Sequence, residues 1–285
     1  MKVAVLGAGI MGGAMARRAA AAGIEVTAWS EPLDHARPLE ADGVRVAGTA
    51  REAAAGANIV VTMAPDADAI AGFAQGFLPS GEFVWCQCAT IGLDGCERLA
   101  DLARDAGVMY VDAPVLGTRE PAERGELVIL ASGPDAALAR CAPLFDAIGS
   151  RTLRLGPAGS GTRLKLVVNN WIVGTVAVLA EAIALAEALG VDGREFLDAI
   201  AGSAVDMGYA QVKGRMMVER DYPVSMPLPH AAKDARLAAT AAGRHGLEHA
   251  VTRVAAALLE RAAAEGDPSE DMAAAFRVAA RRRDR

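Results

Sequence analysis

Residues 2–13 read KVAVLGAGIMGG, and this stretch decides the fold. Lys2–Leu6 is a short apolar run of the kind that forms a buried strand. Gly7, Gly9 and Gly12 follow it in the spacing GxGxxG, at the head of a helical stretch, Met11–Ala22. In that setting each glycine has its own task. Gly7 allows the tight turn, Gly9 lets the backbone approach a pyrophosphate, and Gly12 lets the helix pack close to the strand, so that free N–H groups around Ile10 and Met11 face the anion. A second strand, Glu25–Trp29, ends in Ser30 and Glu31 about twenty residues further on, where the ribose of an adenosine would lie. The segment therefore predicts a dinucleotide site built from Gly7, Gly9, Ile10, Met11, Gly12, Ser30 and Glu31. A carboxylate there accepts from ribose hydroxyls and repels a 2′-phosphate, which makes NAD the expected cofactor, with NADP as the alternative.

Outward from this turn, the strand-like runs Ile59–Met63, Phe83–Cys88 and Val108–Val111 alternate with helical stretches, the pattern of a parallel sheet with crossover helices. Leu127–Ala131 and Leu153–Leu155 read as further strands. From Gly159 to Leu189 the chain reads as one helix of roughly 30 residues, about 45 Å long. After Gly190 it is alanine-rich and helical. The expected architecture is an α/β Rossmann-type N-terminal domain, residues 1–157, and an all-α C-terminal domain, residues 158–285, joined by a long interdomain helix. The far half of that helix, TVAVLAEAIALAEALG, is apolar around most of its circumference, so a partner subunit is expected against it, giving a homodimer or a dimer of dimers.

Composition excludes several classes. With 285 residues, 53% of them hydrophobic and 22% charged, the chain can bury large cores, unlike a disordered one. Only 4% are aromatic and the net charge is −6, which removes both the stacking platform and the basic footprint of a nucleic-acid binder. The chain opens directly on a strand, and no apolar stretch is read as a membrane span, so a cytoplasmic protein is expected. The four cysteines, Cys86, Cys88, Cys96 and Cys141, are read as reduced, buried thiols rather than metal ligands. His245 and His249 have i, i+4 spacing, but Gly246 weakens any helix between them, and no metal is expected. Met216 and Met217 are read as core filler. The closing Arg281–Arg285 run is read as a solvated tail.

Three further segments carry chemistry: Asp112-Ala113-Pro114-Val115-Leu116-Gly117-Thr118, then Gly159-Ser160-Gly161-Thr162-Arg163-Leu164-Lys165 leading to Asn169, and Lys233-Asp234. At these residues, together with GxGxxG, nearly the whole chain resembles the β-hydroxyacid dehydrogenase family, which includes 3-hydroxyisobutyrate dehydrogenases and glyoxylate/succinic semialdehyde reductases. The loop resembles the family's DAPVSG segment, and GxGxxxKxxxN is matched in full. Helical spacing alone puts Lys165 and Asn169 on one face, one turn apart. The resemblance makes Lys165 the proton donor or acceptor at the substrate oxygen and Asn169 the residue that holds lysine and substrate in register. An ammonium with a reference pKa of about 10.4 donates directly in carbonyl reduction, and a dry cleft must lower that value for oxidation. Leu166, Val167, Val168 and Trp171 are the expected apolar surroundings.

The resemblance also implies that Val115, Leu116, Gly117 and Thr118 hold a substrate carboxylate through backbone N–H groups. Leu116 stands where the family has a serine, which points to a bulkier or less polar substrate than a C4 acid, and Arg119 could add a charged contact. Met63, Ala64 and Pro65 resemble the family's turn beside the cofactor. Gln87-Cys88-Ala89-Thr90 keeps only the threonine of its DxST strand end. Lys233 and Asp234 resemble the late pair that closes over nicotinamide and catalytic helix. The implied activity is hydride transfer between a nicotinamide cofactor and a small hydroxy acid or its aldehyde or keto acid. Two other readings stay open: an imine reductase or reductive aminase of similar fold, whose members usually lack the motif lysine, and a dinucleotide-binding module without turnover.

Overall fold

The computed structural model describes residues 1–281, and its contacts divide the chain into two compact units, Met1–Lys165 and Leu166–Arg285. The first unit is built on a six-stranded parallel sheet. Its strands are β1 (Lys2–Leu6), β2 (Glu25–Trp29), β3 (Arg45–Val46), β4 (Ile59–Thr62), β5 (Val84–Gln87) and β6 (Met109–Asp112), in the order β3-β2-β1-β4-β5-β6. This is the doubly wound order in which the chain reverses direction at β1 and β4, leaving a crevice outside their carboxyl ends. Alternation along the strands sorts the side chains into two cores. Val3, Val5, Ile59, Val61, Val84 and Cys86 fill one face of the sheet, while Ala4, Leu6, Val60 and Trp85 fill the other. The second face also holds an edge-to-face file of rings, Phe77 against Trp85 at 5.2 Å and Trp85 against Tyr110 at 5.4 Å.

Helices α1 (Ile10–Ala21), α2 (Ala50–Ala54), α3 (Ala67–Phe77) and α4 (Gly92–Asp105) are the crossovers. The two later strands do not extend this sheet. β7 (Val115–Leu116) pairs antiparallel with β8 (Leu127–Ala131), and β8 pairs parallel with β9 (Gly149–Arg154), forming a separate three-stranded sheet. The step between sheets is made at Asp112 and Ser132, whose backbones pair antiparallel. Helix α5 (Arg119–Arg124) lies between β7 and β8, and α6 (Asp135–Ile148) between β8 and β9. β9 begins at Gly149, earlier than the expected Leu153, and β3 and β7, at two residues each, are too short to carry a periodic pattern.

Helix α7 (Ser160–Ala188) runs from the first unit into the second. By length and composition alone it is long and apolar enough to cross a bilayer, a property that the core helices of soluble proteins share. In the second unit it buries Val173, Val176, Leu179, Ala180 and Ile183 against α8 (Gly193–Ile200), α9 (Gly208–Glu219), α10 (Leu228–Arg244), α11 (Ala250–Glu265) and the short α12 (Phe276–Ala279). Lys213 and Asp271 form a fully buried ion pair at 2.6 Å inside this core. His245 and His249 fall in the break between α10 and α11 and share no helix. Among the described residues no group of three or more His, Cys, Asp or Glu side chains is disposed to hold a metal ion. Of the arginine-rich tail, residues 282–285 lie outside the described residues, and Arg281 pairs with Glu265 at 3.0 Å.

Candidate active site

The glycine turn has the tightness its sequence requires. Gly7 has φ +100°, and a Cβ there would stand 2.1 Å from the Met63 carbonyl oxygen; a Cβ on Gly12 would stand 1.9 Å from that of Gly7. At Gly9, the N-cap of α1, a Cβ would meet nothing within 4 Å. No side chain caps α1 and no acidic residue lies in its first turn, so its leading N–H groups open onto free space beside Gly9. This cradle fits an anionic pyrophosphate. Ser30 is buried at the end of β2, and Glu31 beyond it is exposed. Met63 and Ala64 are half-buried at the end of β4, next to the glycine turn, and Pro65 is exposed.

At the end of β5, Gln87 explains the altered strand-end motif. Its amide is completely buried, donates to the Ala89 carbonyl at 2.8 Å and accepts from the Ala89 N–H at 2.6 Å, so one side chain pins the loop that presents Thr90. Cys86 and Cys88 lie behind it with their Sγ atoms 3.7 Å apart, both buried and reduced. Hydrogen bonding to Cys141 and Cys88, with burial, pushes the Cys86 thiol up, which makes it a packed side chain and not a nucleophile.

The second constellation gathers around the start of α7. Lys165 donates from Nζ to the Val115 carbonyl at 2.8 Å, so the motif lysine lies against the loop that follows Asp112. Strand β7 turns Val115 into the core and leaves Leu116 half-buried on the opposite side. Gly117 is exposed, and Thr118 is the N-cap of α5. Arg119 is exposed and engaged by Glu123 at 2.8 Å, so it is not poised toward a ligand. The apolar neighbours expected to dry out the lysine do so only in part: Leu166 is buried, but Val167 and Trp171 are 65% and 64% exposed.

Asp112, read from sequence only as the first letter of a motif, is the polar hub of this region. It is fully buried; Oδ2 accepts from Gly159 N–H at 3.1 Å and Thr162 N–H at 2.8 Å, and Oδ1 accepts from Thr162 Oγ at 2.7 Å. Burial raises its pKa, and the hydrogen bonds from Thr162, Ser132 and Gly159 oppose the rise. One sequence signal could have found it. A 29-residue helix opening Ser-Gly-Thr, with no acidic residue in its first turn, leaves N–H groups that a buried carboxylate from another segment can satisfy. Cys96 shares the neighbourhood, and burial followed by the Asp112 charge pushes its thiol up to about 12.

In the second unit Asn169, one turn beyond Lys165 on α7, is buried and donates to Asp234 Oδ2 at 2.7 Å. Lys233 Nζ stands 2.8 Å from Oδ1 of the same carboxylate. Asp234, supplied by α10, thus fixes the asparagine amide, and Lys233 stands at its other oxygen.

A glycine cradle at the switch point of a doubly wound sheet, with a lysine seated on the loop after β6, fits a nicotinamide-dinucleotide-dependent oxidoreductase. Residues 2–156 match the NAD binding domain of 6-phosphogluconate dehydrogenase, and residues 159–279 match the family described as NAD-binding of NADP-dependent 3-hydroxyisobutyrate dehydrogenase. The chain belongs to the 3-hydroxyisobutyrate dehydrogenase family, NAD(P)-dependent oxidoreductases that act on small hydroxy acids and semialdehydes. It is 30% identical over 243 residues to the chloroplastic glyoxylate/succinic semialdehyde reductase 2 of Arabidopsis thaliana, covering 84% of this chain and 68% of that protein. The solved 3-hydroxyisobutyrate dehydrogenase of Mycobacterium tuberculosis with L-serine superposes with a TM-score of 0.87 at 25% identity, over 97% of this chain and 98% of that one. A reductive aminase of Aspergillus terreus, in complex with NADPH and ethyl levulinate, has the same 25% identity and similar coverage, 97% and 98%, but a TM-score of 0.64.

Proposed function

We propose that this protein interconverts a small hydroxy acid and its aldehyde or keto acid, with Lys165 as general acid and base. The observation that carries the reading is the 2.8 Å bond from Lys165 Nζ to the Val115 carbonyl, which aims the ammonium at the loop expected to hold a carboxylate. Bound nicotinamide cofactor would supply or accept the hydride. Gly7, Gly9, Ile10, Met11 and Gly12 would hold its pyrophosphate, Ser30 and Glu31 its adenosine ribose, and Met63, Ala64, Pro65, Thr90, Lys233 and Asp234 its remaining length. The backbone of Val115, Leu116, Gly117 and Thr118 binds the substrate carboxylate. Lys165 gives its proton to the carbonyl oxygen in reduction and takes it back in oxidation. Asn169, held by Asp234, keeps donor and substrate in register, and Lys233 adds a positive charge next to that pair.

Exposed Glu31 supports NAD over NADP, since like charge disfavours a 2′-phosphate. Half-buried Leu116 supports an apolar branch on the substrate. Residues 1–157 are the dinucleotide domain and 158–285 the substrate and dimerisation domain of a cytoplasmic enzyme. Support for a homodimer comes from α7, which exposes Val167, Trp171, Val178 and Leu185, and from an apolar groove of ≈ 820 Å³ that Trp171 and Val178 share with Phe196, Ile200 and Val205. Light scattering should give twice the chain mass or a multiple of it; the single-chain mass would refute the dimer.

Activity tests the central reading. NADH oxidation is followed with glyoxylate, succinic semialdehyde, a branched oxo acid and an imine. Lys165→Met should lower the rate by about 10²–10⁴-fold while NADH affinity stays near wild type. A variant keeping more than about a tenth of the wild-type rate would refute the lysine's role. The branched acid should outrank glyoxylate, and turnover of the imine alone would replace this activity with imine reduction.

A further inference from the structure

We propose that Asp112, acting with Ser132 and Thr162, is a positioning latch for Lys165; the inference rests on the role given to that lysine above. The first N–H groups of α7 have no partner within the helix and no acidic residue in its first turn to meet them, and here acceptors from elsewhere in the chain do so. Asp112 takes the N–H groups of Gly159 and Thr162 and the Thr162 hydroxyl, and Ser132 Oγ takes the N–H of Gly161 at 3.0 Å. Ser132 is itself fixed to Asp112, through backbone bonds in both directions at 2.8 and 2.9 Å. Two loops separated by 47 to 50 residues are thereby tied at one end.

They are tied again at the other. Three residues after Asp112 comes Val115, three residues after Thr162 comes Lys165, and the two are joined by the 2.8 Å ammonium–carbonyl bond. The segment from Asp112 to Val115 and the turn from Gly159 to Lys165 form one laced frame within the first unit. The frame has no slack. A Cβ on Gly161 would stand 2.1 Å from the Leu130 carbonyl oxygen and 3.0 Å from that of Asp112, so the helix start sits directly on the two strand ends. A shift at the Asp112 end is transmitted through less than one helical turn to the Lys165 backbone. Hydroxyl and amide groups of Ser132, Gly159 and Thr162 donate to Asp112, and burial raises its pKa. Keeping a buried carboxylate that only hydroxyl and amide donors balance costs stability, and the placement of Lys165 is what it provides in return.

The test uses the full chain, NADH and the best oxo acid of the panel. Thr162→Val removes one bond to Asp112 and keeps the side-chain shape. It should lower kcat about tenfold or more, as a small misplacement of a catalytic group does, with KM and NADH affinity within about twofold of wild type. Thr162→Ser, which keeps the hydroxyl, should restore kcat. In a Lys165→Met background Thr162→Val should cost nothing further. A normal kcat in Thr162→Val beside an inactive Lys165→Met overturns the latch alone, as does an equal loss with and without the lysine. Full activity in Lys165→Met overturns the lysine's role and the latch together. If Thr162→Val does not fold, Ser132→Ala, which loses the bond to Gly161, carries the same comparison with the same expected split.

Discussion

Asp112 in the first unit and Asp271 in the second are equally inaccessible, each with no exposed surface, yet they are neutralised by different means. Asp271 faces Lys213 at 2.6 Å, and its oxygens also accept from Ser225 Oγ and the N–H groups of Ser225, Met226 and Ala273. Burial works to raise its pKa, but the Lys213 charge and these hydrogen bonds prevail, and the net shift is downward. Asp112 meets only hydroxyl and amide donors, and burial prevails. The ion-paired carboxylate ties two loops to α9 and serves the core. The carboxylate balanced only by dipoles seats the start of a helix, and that helix carries the lysine on which the proposed chemistry depends. Burial alone says little about a charge; the partners it is given say what it is for.

The largest expected effect breaks the second member of the pair. Lys213→Met leaves Asp271 buried without its cation and should lower unfolding free energy by about 3–5 kcal/mol. Urea unfolding measures it, and a loss under about 1 kcal/mol would mean that the pair is not the tie described here.

A second measurement sharpens the contrast through pH. A lowered native pKa makes the Asp271 contribution fully present above the ordinary aspartate value and lost as pH falls through its native value. A raised native pKa gives Asp112 the opposite slope: its contribution is most favourable below the ordinary value and declines as pH rises through the native one. Urea midpoints of wild type, Asp112→Asn and Asp271→Asn from about pH 3 to about pH 7 should therefore give wild-type-minus-variant differences of opposite slope. Slopes of one sign would erase the distinction.

The smallest effect comes from a third carboxylate that serves as an exposed control. Glu31 has no buried partner to lose, so Glu31→Arg should leave stability within about 0.5 kcal/mol of wild type. Cofactor preference should instead move toward NADPH by about tenfold, read by titration with both cofactors. Equal affinities of the wild type for NADH and NADPH would remove Glu31 from cofactor selection.

Much of the fold was legible because its signals are local. Lys2–Leu6, Glu25–Trp29 and Leu127–Ala131 are strands with the expected bounds, and α7 begins and ends one residue inside the reading of it. The glycine turn was legible for the same reason, since its strand, turn and helix are consecutive. The reading missed β3 and β7, which have two residues each and exist through pairing with β2 and β8. It also missed the clamp at Gln87. Glutamine beside alanine carries no pattern until the strand end curls and brings the Ala89 backbone onto the amide.

By itself the sequence determined the alternation of strands and helices, the dinucleotide cradle and the one-turn spacing of Lys165 and Asn169, because periodicity and turn chemistry act between residues a few positions apart. Tertiary structure decided that the last strands form their own sheet, that Asp112 seats a helix 47 residues away, and that Lys213 meets Asp271 across 58 residues. These pairings are fixed by how packed elements meet, and the free energy of burying a charge depends on partners that the neighbouring residues in the chain do not specify.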